Sequence, residues 1–285
     1  MRATTRAAHE ERIQRAVLFL HERLDEELSL DRLAEVAGYS RYHFHRLFRG
    51  LVGESLGEHR RRLRLERAAV RLRRGSRPVI DEALDAGYES HEAFTRAFRA
   101  RFGCSPSDWR AGGVHEPAEP GATALPFPGG VGDVRVVERP EVRVLSARHV
   151  GPYEEVGNAW QALMVFAAPR GLLAGGPESL GICHDDPSVT AAEHLRYDAC
   201  LCVDAEVDPA SPLTVRTLPA SRYALAEHTG SYEGLGVVHD WLCGAWLPDA
   251  GLWPADRPCV EVYRNNPTNT PPERLRTDVL LPLQP

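Results

Sequence analysis

An arginine that repeats on the solvent side of a helix is well suited to reading DNA, because its planar fork can bond the O6 and N7 of guanine together. Arg46 and Arg96 stand 50 residues apart in two copies of one pattern. The first copy runs Gly38-Tyr39-Ser40-Arg41-Tyr42-His43-Phe44-His45-Arg46-Leu47-Phe48-Arg49. The second runs Gly87-Tyr88-Glu89-Ser90-His91-Glu92-Ala93-Phe94-Thr95-Arg96-Ala97-Phe98-Arg99. Helical spacing puts Phe44, Leu47, Phe48 and Leu51 on a buried stripe, with Tyr42, His45, Arg46 and Arg49 opposite. In the second copy Phe94, Ala97, Phe98 and Phe102 are the stripe, and Glu92, Thr95, Arg96 and Arg99 face out beside His91. Arg46 and Arg96 are expected to fork onto bases, and His45 and Thr95 to make single hydrogen bonds. Tyr42 suits a thymine methyl or a sugar, and Arg41, Arg49 and Arg99 suit phosphates.

These side chains need helices to carry them. Ile13, Val17, Leu20 and Leu24 mark an amphipathic first helix. Ser29 is placed to cap a helix over residues 30–36 that stops at Gly38, and Ser40 to cap one reaching about Leu51. A long helix over residues 56–73 closes at Gly75 and carries Arg60, Arg61, Arg62, Arg64 and Arg67. Pro78 then opens a short helix ending at Gly87, and Ser90 opens the last, to about Phe102. Each recognition helix follows a shorter one across a Gly-Tyr turn, the spacing of a helix-turn-helix. The long helix is a rigid spacer that would set two recognition helices about one DNA turn, roughly 34 Å, apart.

Charge agrees with this division. Residues 1–112 hold 22 arginines against 17 acids, a net of +5, and the remainder carries −11, together the −6 of the chain. The basic half suits a polyanion. All 34 basic residues are Arg, a bias that a GC-rich genome also produces. No run of eighteen apolar residues exists and no apolar segment follows Met1-Arg2-Ala3-Thr4-Thr5-Arg6, so neither a membrane span nor a secretory signal is expected. Six cysteines without CxxC spacing suggest reduced thiols in a cytoplasmic protein. Cys200 and Cys202 would share a strand face, but no His or second Cys pair lies near them in sequence. Neither a metal nor a cofactor is expected.

A linker over residues 113–131, rich in Gly and Pro, separates 1–112 from 132–285. Beyond it the pattern becomes α+β, with strand-like runs at 134–137, 142–145 and 197–203 and helical stretches at 156–166 and 232–246. This half is also duplicated, at an offset of 79–80 residues: His149-Val150-Gly151-Pro152-Tyr153 returns as His228-Thr229-Gly230-Ser231-Tyr232, and 186–198 as 266–278. Each copy reads strand, turn, helix, then a strand hairpin. Two copies are expected to share an antiparallel sheet, with helices on one side and a groove at the pseudo-dyad. His149 and His228 are expected to bond backbone. Tyr153 and Tyr232 are expected either to cap the groove or to pack the turn.

The double motif, closing with Phe102-Gly103-Cys104-Ser105-Pro106-Ser107-Asp108-Trp109-Arg110, resembles the AraC family of bacterial regulators, with Trp109 where Tyr or Phe is usual. The resemblance covers about residues 9–111. His149 to Tyr153, Trp246-Leu247-Pro248 and Glu261-Val262-Tyr263 make residues 132–285 similar to the GyrI-like, effector-binding domain. The resemblance implies a multidomain fold: an all-α double helix-turn-helix domain, then an α+β domain of two pseudo-twofold repeats. It implies a regulator whose partners are double-stranded promoter DNA, a small-molecule effector and RNA polymerase; two motifs in one chain remove the need for a dimer, so a monomer or weak dimer is expected.

Family members bind amphipathic, often cationic molecules over a carboxylate, which carries over to Glu261. Strand alternation puts Glu261 and Tyr263 on one face, and the position matching Glu261 in the other copy is Gly181. Trp160, Tyr153, Tyr232 and Trp246 are the expected aromatic walls for a delocalised cation. The alternative is a hydrolase of reactive cyclopropane-containing compounds, with Glu261 and a tyrosine hydroxyl positioning water. A third reading, a gyrase-binding or DNA-mimicking module, draws on the −11 charge.

Overall fold

The computed structural model describes residues 2–112, 125, 127–204, 206–209 and 212–285, with side chains from Thr5 onward. The expected linker 113–131 thus lies largely outside the described residues. The first helix-turn-helix is built from α1 (Arg2–Glu22), α2 (Leu30–Ala37) and α3 (Arg41–Val52). Ile13, Val17, Leu20 and Leu24 of the first segment are buried as their spacing requires. The Ser29 hydroxyl accepts from the Arg32 N–H, and Gly38 ends α2 in the left-handed region at φ 70°. The spacer α4 (Leu56–Arg74) starts with a reciprocal capping box between Ser55 and Glu58. Then come α5 (Val79–Asp85), α6 (His91–Phe102) and α7 (Pro106–Arg110). Pro78 immediately precedes α5 instead of sitting inside its first turn. The second motif has its own core of Leu65, Leu72, Phe94, Phe98 and Phe102, with Trp109 packed against it. The Trp109 indole N–H donates to the Ala69 carbonyl, a bond that Tyr or Phe at this place could not copy in kind.

The second half contains β1 (Arg135–Arg139), β2 (Val142–Val150), α8 (Gly157–Ala167), β3 (Ser179–Cys183) and β4 (Arg196–Cys202). Its second copy is β5 (Thr214–Leu218), β6 (Ser221–Thr229), α9 (Leu235–Trp241), α10 (Leu247–Ala250), β7 (Cys259–Tyr263) and β8 (Arg276–Pro282). A π-helical turn, Leu242–Trp246, joins α9 to α10. The described strands form one eight-stranded antiparallel sheet in the order β1-β6-β8-β7-β3-β4-β2-β5. The pseudo-dyad falls between β7 and β3, where Gly181 is directly opposite Glu261. The opening strands cross over: β1 pairs with β6 of the second copy and β5 with β2 of the first. Each repeat therefore completes the edge of the other, so neither is a separate unit. Helices α8 and α9 cover one face, and the other face carries Val144, Leu180, Ile182, Val260, Val262 and Leu280.

The two halves do not have wholly separate cores, contrary to what the sequence suggests. Leu20, Leu33, Phe44, Leu47 and Phe48 of the first motif belong to one buried cluster with Ala226, Val238, Leu242, Cys243, Leu247 and Val279 of the second half. At the crossing of α3 with the π-helical turn, Gly50 meets Gly244 backbone to backbone, and a Cβ on either would overlap the other's main chain. Only two glycines permit so close an approach. Flanking contacts extend the seam: the His9 ring stacks on Trp253 at 4.1 Å and takes the Tyr39 hydroxyl at 2.6 Å on its Nδ1.

Inside a free helix Ala is better than Gly by about 0.5–1 kcal/mol. Gly50→Ala should nevertheless lower the stability of the full-length protein by roughly 1–3 kcal/mol, because the added methyl overpacks the crossing. Chemical denaturation of the two proteins checks the sign; a more stable variant would show that the helices do not touch at Gly50.

Candidate nucleic-acid interface and effector site

The two recognition helices, alike in sequence, have opposite surroundings. On α6, His91, Glu92, Arg96 and Arg99 are exposed and Thr95 is half-buried. This is the face expected of a helix free to enter a groove. On α3, Arg46 is 6% exposed and His45 2%. The expectation that these two face solvent is therefore corrected: their side of α3 is outward from its own motif but is covered by the second half of the chain. Tyr42 is half-buried, and Arg49 and Arg41 lie along the seam.

Carboxylates meet that covered face. Arg46 Nε lies 3.4 Å from Asp240 Oδ1 and 3.7 Å from Asp186 Oδ2. Arg49 donates to Asp240 Oδ2 at 2.9 Å, and Arg41 reaches Asp185 Oδ1 at 3.5 Å. His45 Nδ1 is 3.3 Å from Asp186 Oδ2 and 3.3 Å from the Ser188 hydroxyl. Burial pushes the Asp186 carboxyl up. The Arg46 charge and the bonds from His45 and Ser188 outweigh it and hold the group well below the ordinary carboxylate range. Asp186 is thus a fixed anion against an arginine that cannot lose its charge. The duplication carries a signal of it: Asp185-Asp186 in the first copy corresponds to Asn265-Asn266 in the second. The spacer arginines are also engaged internally. Arg64 donates to the Leu24 carbonyl at 3.1 Å, Arg62 pairs with Glu54 at 2.7 Å, Arg67 with Asp25, and Arg60 with the Glu26 carbonyl. The bonds of Arg60, Arg64 and Arg67 tie α4 to the turn after α1, and that of Arg62 ties it to the turn after α3.

The second site sits at the pseudo-dyad, on the helix side of the sheet. Glu261, on β7, is 5% exposed. It accepts from His239 Nε2 of α9 at 2.9 Å and from the Tyr263 hydroxyl at 2.6 Å. The Tyr263 and Tyr197 hydroxyls are 2.9 Å apart, and the Trp160 indole N–H donates to Tyr197 at 3.1 Å. Trp160 and Tyr232 each set a ring edgewise to Tyr263, with centroids at 5.6 and 5.4 Å. A Cβ at Gly181 would sit 2.5 Å from both tyrosine hydroxyls, so the glycine makes room for them. Burial raises the Glu261 carboxyl, but His239 and Tyr263 prevail and hold it below its usual value. His239 is raised, against its own burial, by Cys183, Cys259 and Glu261.

Several expectations change here. Glu261, Tyr263, Trp160 and Tyr232 do come together. Glu261 does not stand at the foot of an open groove, however; it is a buried anion already paired with His239. Tyr153 donates its hydroxyl to the Asp185 carbonyl at 2.8 Å and stands edgewise to Tyr197 at 6.1 Å, so it ties the turn and borders the cluster. Trp246 belongs elsewhere, on the π-helical turn that packs against α3. His149 and His228 bond backbone as expected, to the Pro152 and Ser231 carbonyls. A surface cleft of about 400 Å³ lined by Thr229, Asn269, Arg274 and Arg276 lies elsewhere and offers neither carboxylate nor aromatic wall. Sequence reasoning missed His239 and Tyr197, whose places beside Glu261 depend on the sheet register and on α9. It also missed two groups of potential ligand atoms among the described residues: His43, Cys243 and Cys259, and Cys183, His239 and Glu261.

One free recognition helix, a second held on carboxylates, and a buried acid ringed by aromatics define a helix-turn-helix regulator joined to a small-molecule domain. The chain belongs to the AraC-type regulators and, over its second half, to the family described as the GyrI-like small molecule binding domain, matched at residues 132–284. A helix-turn-helix domain model matches residues 33–112. The regulatory protein SoxS of Salmonella typhimurium is 41% identical over 103 residues, covering 36% of this chain and 96% of SoxS. The right origin-binding protein of Escherichia coli K12 is 37% identical over 120 residues, 40% of this chain and 42% of that protein. The crystal structure of the EcmrR C-terminal domain is 18% identical with a TM-score of 0.44, over 53% of this chain and 97% of that one.

Replacing Arg46 by Ala should lower folding stability by about 3–5 kcal/mol, because it leaves Asp186 and Asp240 without their buried partner. Arg96→Ala, on an exposed face, should change it by no more than about 0.5 kcal/mol. Equal effects in urea titrations of the two variants would mean that α3 is as exposed as α6.

Proposed function

We propose that this DNA-binding transcription regulator reads promoter DNA with both recognition helices, and that its second domain holds α3 back until an amphipathic, cationic small molecule enters at Glu261. The observation that carries this reading is the placement of Asp185, Asp186 and Asp240 against Arg41, His45, Arg46 and Arg49. By type, these side chains suit bases and phosphates. Carboxylates spaced along one helix face compete for them as a DNA backbone would. In this state Arg96, Thr95, His91, Glu92 and Arg99 can meet a groove, while α3 cannot. The negative second domain acts on this reading as an internal substitute for DNA.

Glu261 is the natural input. A delocalised cation that reached it would take over the charge now neutralised by His239, and Trp160, Tyr232, Tyr263 and Tyr197 would supply ring faces. His239 lies on α9, which runs through the π-helical turn into the crossing with α3, so displacing the imidazole moves the element that holds α3. The pair of Glu261 and Tyr263 could also orient a water for hydrolysis, but its depth beneath the aromatic rings favours binding. RNA polymerase as a further partner, and action as a monomer, fit two DNA-reading motifs in one chain.

The test is DNA affinity by fluorescence anisotropy, with and without a lipophilic cation such as tetraphenylphosphonium. Wild type should bind operator DNA more tightly with the cation, and Glu261→Gln should lose that response. Asp186→Asn combined with Asp240→Asn should bind tightly without it. Arg96→Ala should cost about 1–3 kcal/mol and relax preference at one base pair. If the double Asn variant binds no better than wild type, α3 is not held back by these acids. Turnover of the added compound would assign catalysis instead.

A further inference from the structure

His43 lies on the buried side of α3 and is fully enclosed. Its Nε2 faces the Ala255 and Arg257 carbonyls at 3.1 and 2.9 Å. A carbonyl only accepts, so Nε2 carries the proton and Nδ1 presents a lone pair. Nδ1 is buried with no hydrogen-bond partner. Such an orphaned acceptor in a dry core is costly unless something fills it. Beside this ring are two buried thiols from separate elements, Cys243 of the π-helical turn and Cys259 of β7. One His43 ring nitrogen and the two sulfurs all lie within 4.8 Å of one another.

His239 stands near the same Cys259 thiol, in a neighbouring group of potential ligand atoms with Cys183 and Glu261. Its Nε2 donates to Glu261 at 2.9 Å, and its Nδ1 is likewise buried and unpartnered. Histidines that ligate metals characteristically donate the other ring N–H to a carbonyl or carboxylate, which fixes tautomer and orientation. Both rings carry that outer bond already: carbonyls behind His43, the Glu261 carboxylate behind His239. Two thiols and two oriented imidazoles are the Cys₂His₂ donor set of structural zinc.

We propose that His43, Cys243 and Cys259, completed by His239, bind one Zn²⁺ at the seam between α3 and the second domain. Binding would release the two thiol protons and the imidazolium proton of His239, and the cation and two thiolates are then neutral together, as a buried site requires. The metal would link the recognition helix, through His43, to the effector carboxylate, through His239. Zinc binding itself does not depend on any effector or DNA.

Full-length, untagged protein, purified under reductant with Zn²⁺ present, should carry one zinc per chain by elemental analysis. Co²⁺ in its place should give a sulfur-to-metal charge-transfer band and tetrahedral d–d absorption. Cys259→Ser should lose the charge-transfer intensity from one thiolate and weaken Zn²⁺ at least tenfold, and Glu261→Gln should weaken it about 10–100-fold by removing the bond behind His239. Cys104→Ser, in the second helix-turn-helix motif, should keep full zinc. Should Cys259→Ser fail to fold, Co²⁺ spectra of wild type and His43→Gln decide the matter. Less than stoichiometric zinc, a cobalt spectrum without a thiolate band, or a Cys243–Cys259 disulfide in the reduced protein would overturn the proposal.

Discussion

A buried arginine between two carboxylates organises this molecule. Arg46 is 6% exposed, and Asp186 and Asp240 reach it from two parts of the second domain, the loop after β3 and helix α9. Taking these charges out of water is expensive, and the pairing returns that cost only while all three stay together. The seam is therefore strong when complete and fails sharply when one member leaves. Apolar contact around it, from Leu47 and Phe48 to Leu242 and Val279, keeps water away and makes the pairing count.

The same constraint makes the two helix-turn-helix motifs unequal. Their turns and apolar stripes are alike: Gly38 and Gly87 both have positive φ, and Phe44, Phe48, Phe94 and Phe98 are all fully buried. What differs is the neighbour. The second motif completes its core within itself, with Trp109 against Phe102 and Phe98. The first leaves an unfinished surface that the sheet domain fills. On the proposed reading, this division lets one motif stay in place while the other is released.

Within the sheet domain, mismatches between the repeats do the chemical work. Glu261 against Gly181 places one carboxylate and one space at the pseudo-dyad. Asp185-Asp186 against Asn265-Asn266 puts this pair of carboxylates beside α3 from the first copy, while Asp240 reaches α3 from the second. The exchange of β1 and β5 between copies locks the repeats together, and β7 pairs with β8 of its own copy and with β3 of the other.

Local pattern settled much of this protein in advance. Helix boundaries, the Ser29 and Ser90 caps, the Gly38 stop, the two stripes, the duplicated sheet unit and the Gly181–Glu261 pairing are all read from spacing, because each depends on neighbours a few residues away or on repeat offset. The exposure of α6 followed from the same reasoning. The covering of α3 did not, since an arginine that faces away from its own motif carries no local sign of what lies beyond. Asp186 and Asp240 lie 140 and 194 residues from Arg46 along the chain. His43, Cys243 and Cys259 are similarly scattered, and so are His239 and Glu261. Amphipathic periodicity decides which way a side chain points; only packing decides whether water, DNA or another part of the chain is waiting there.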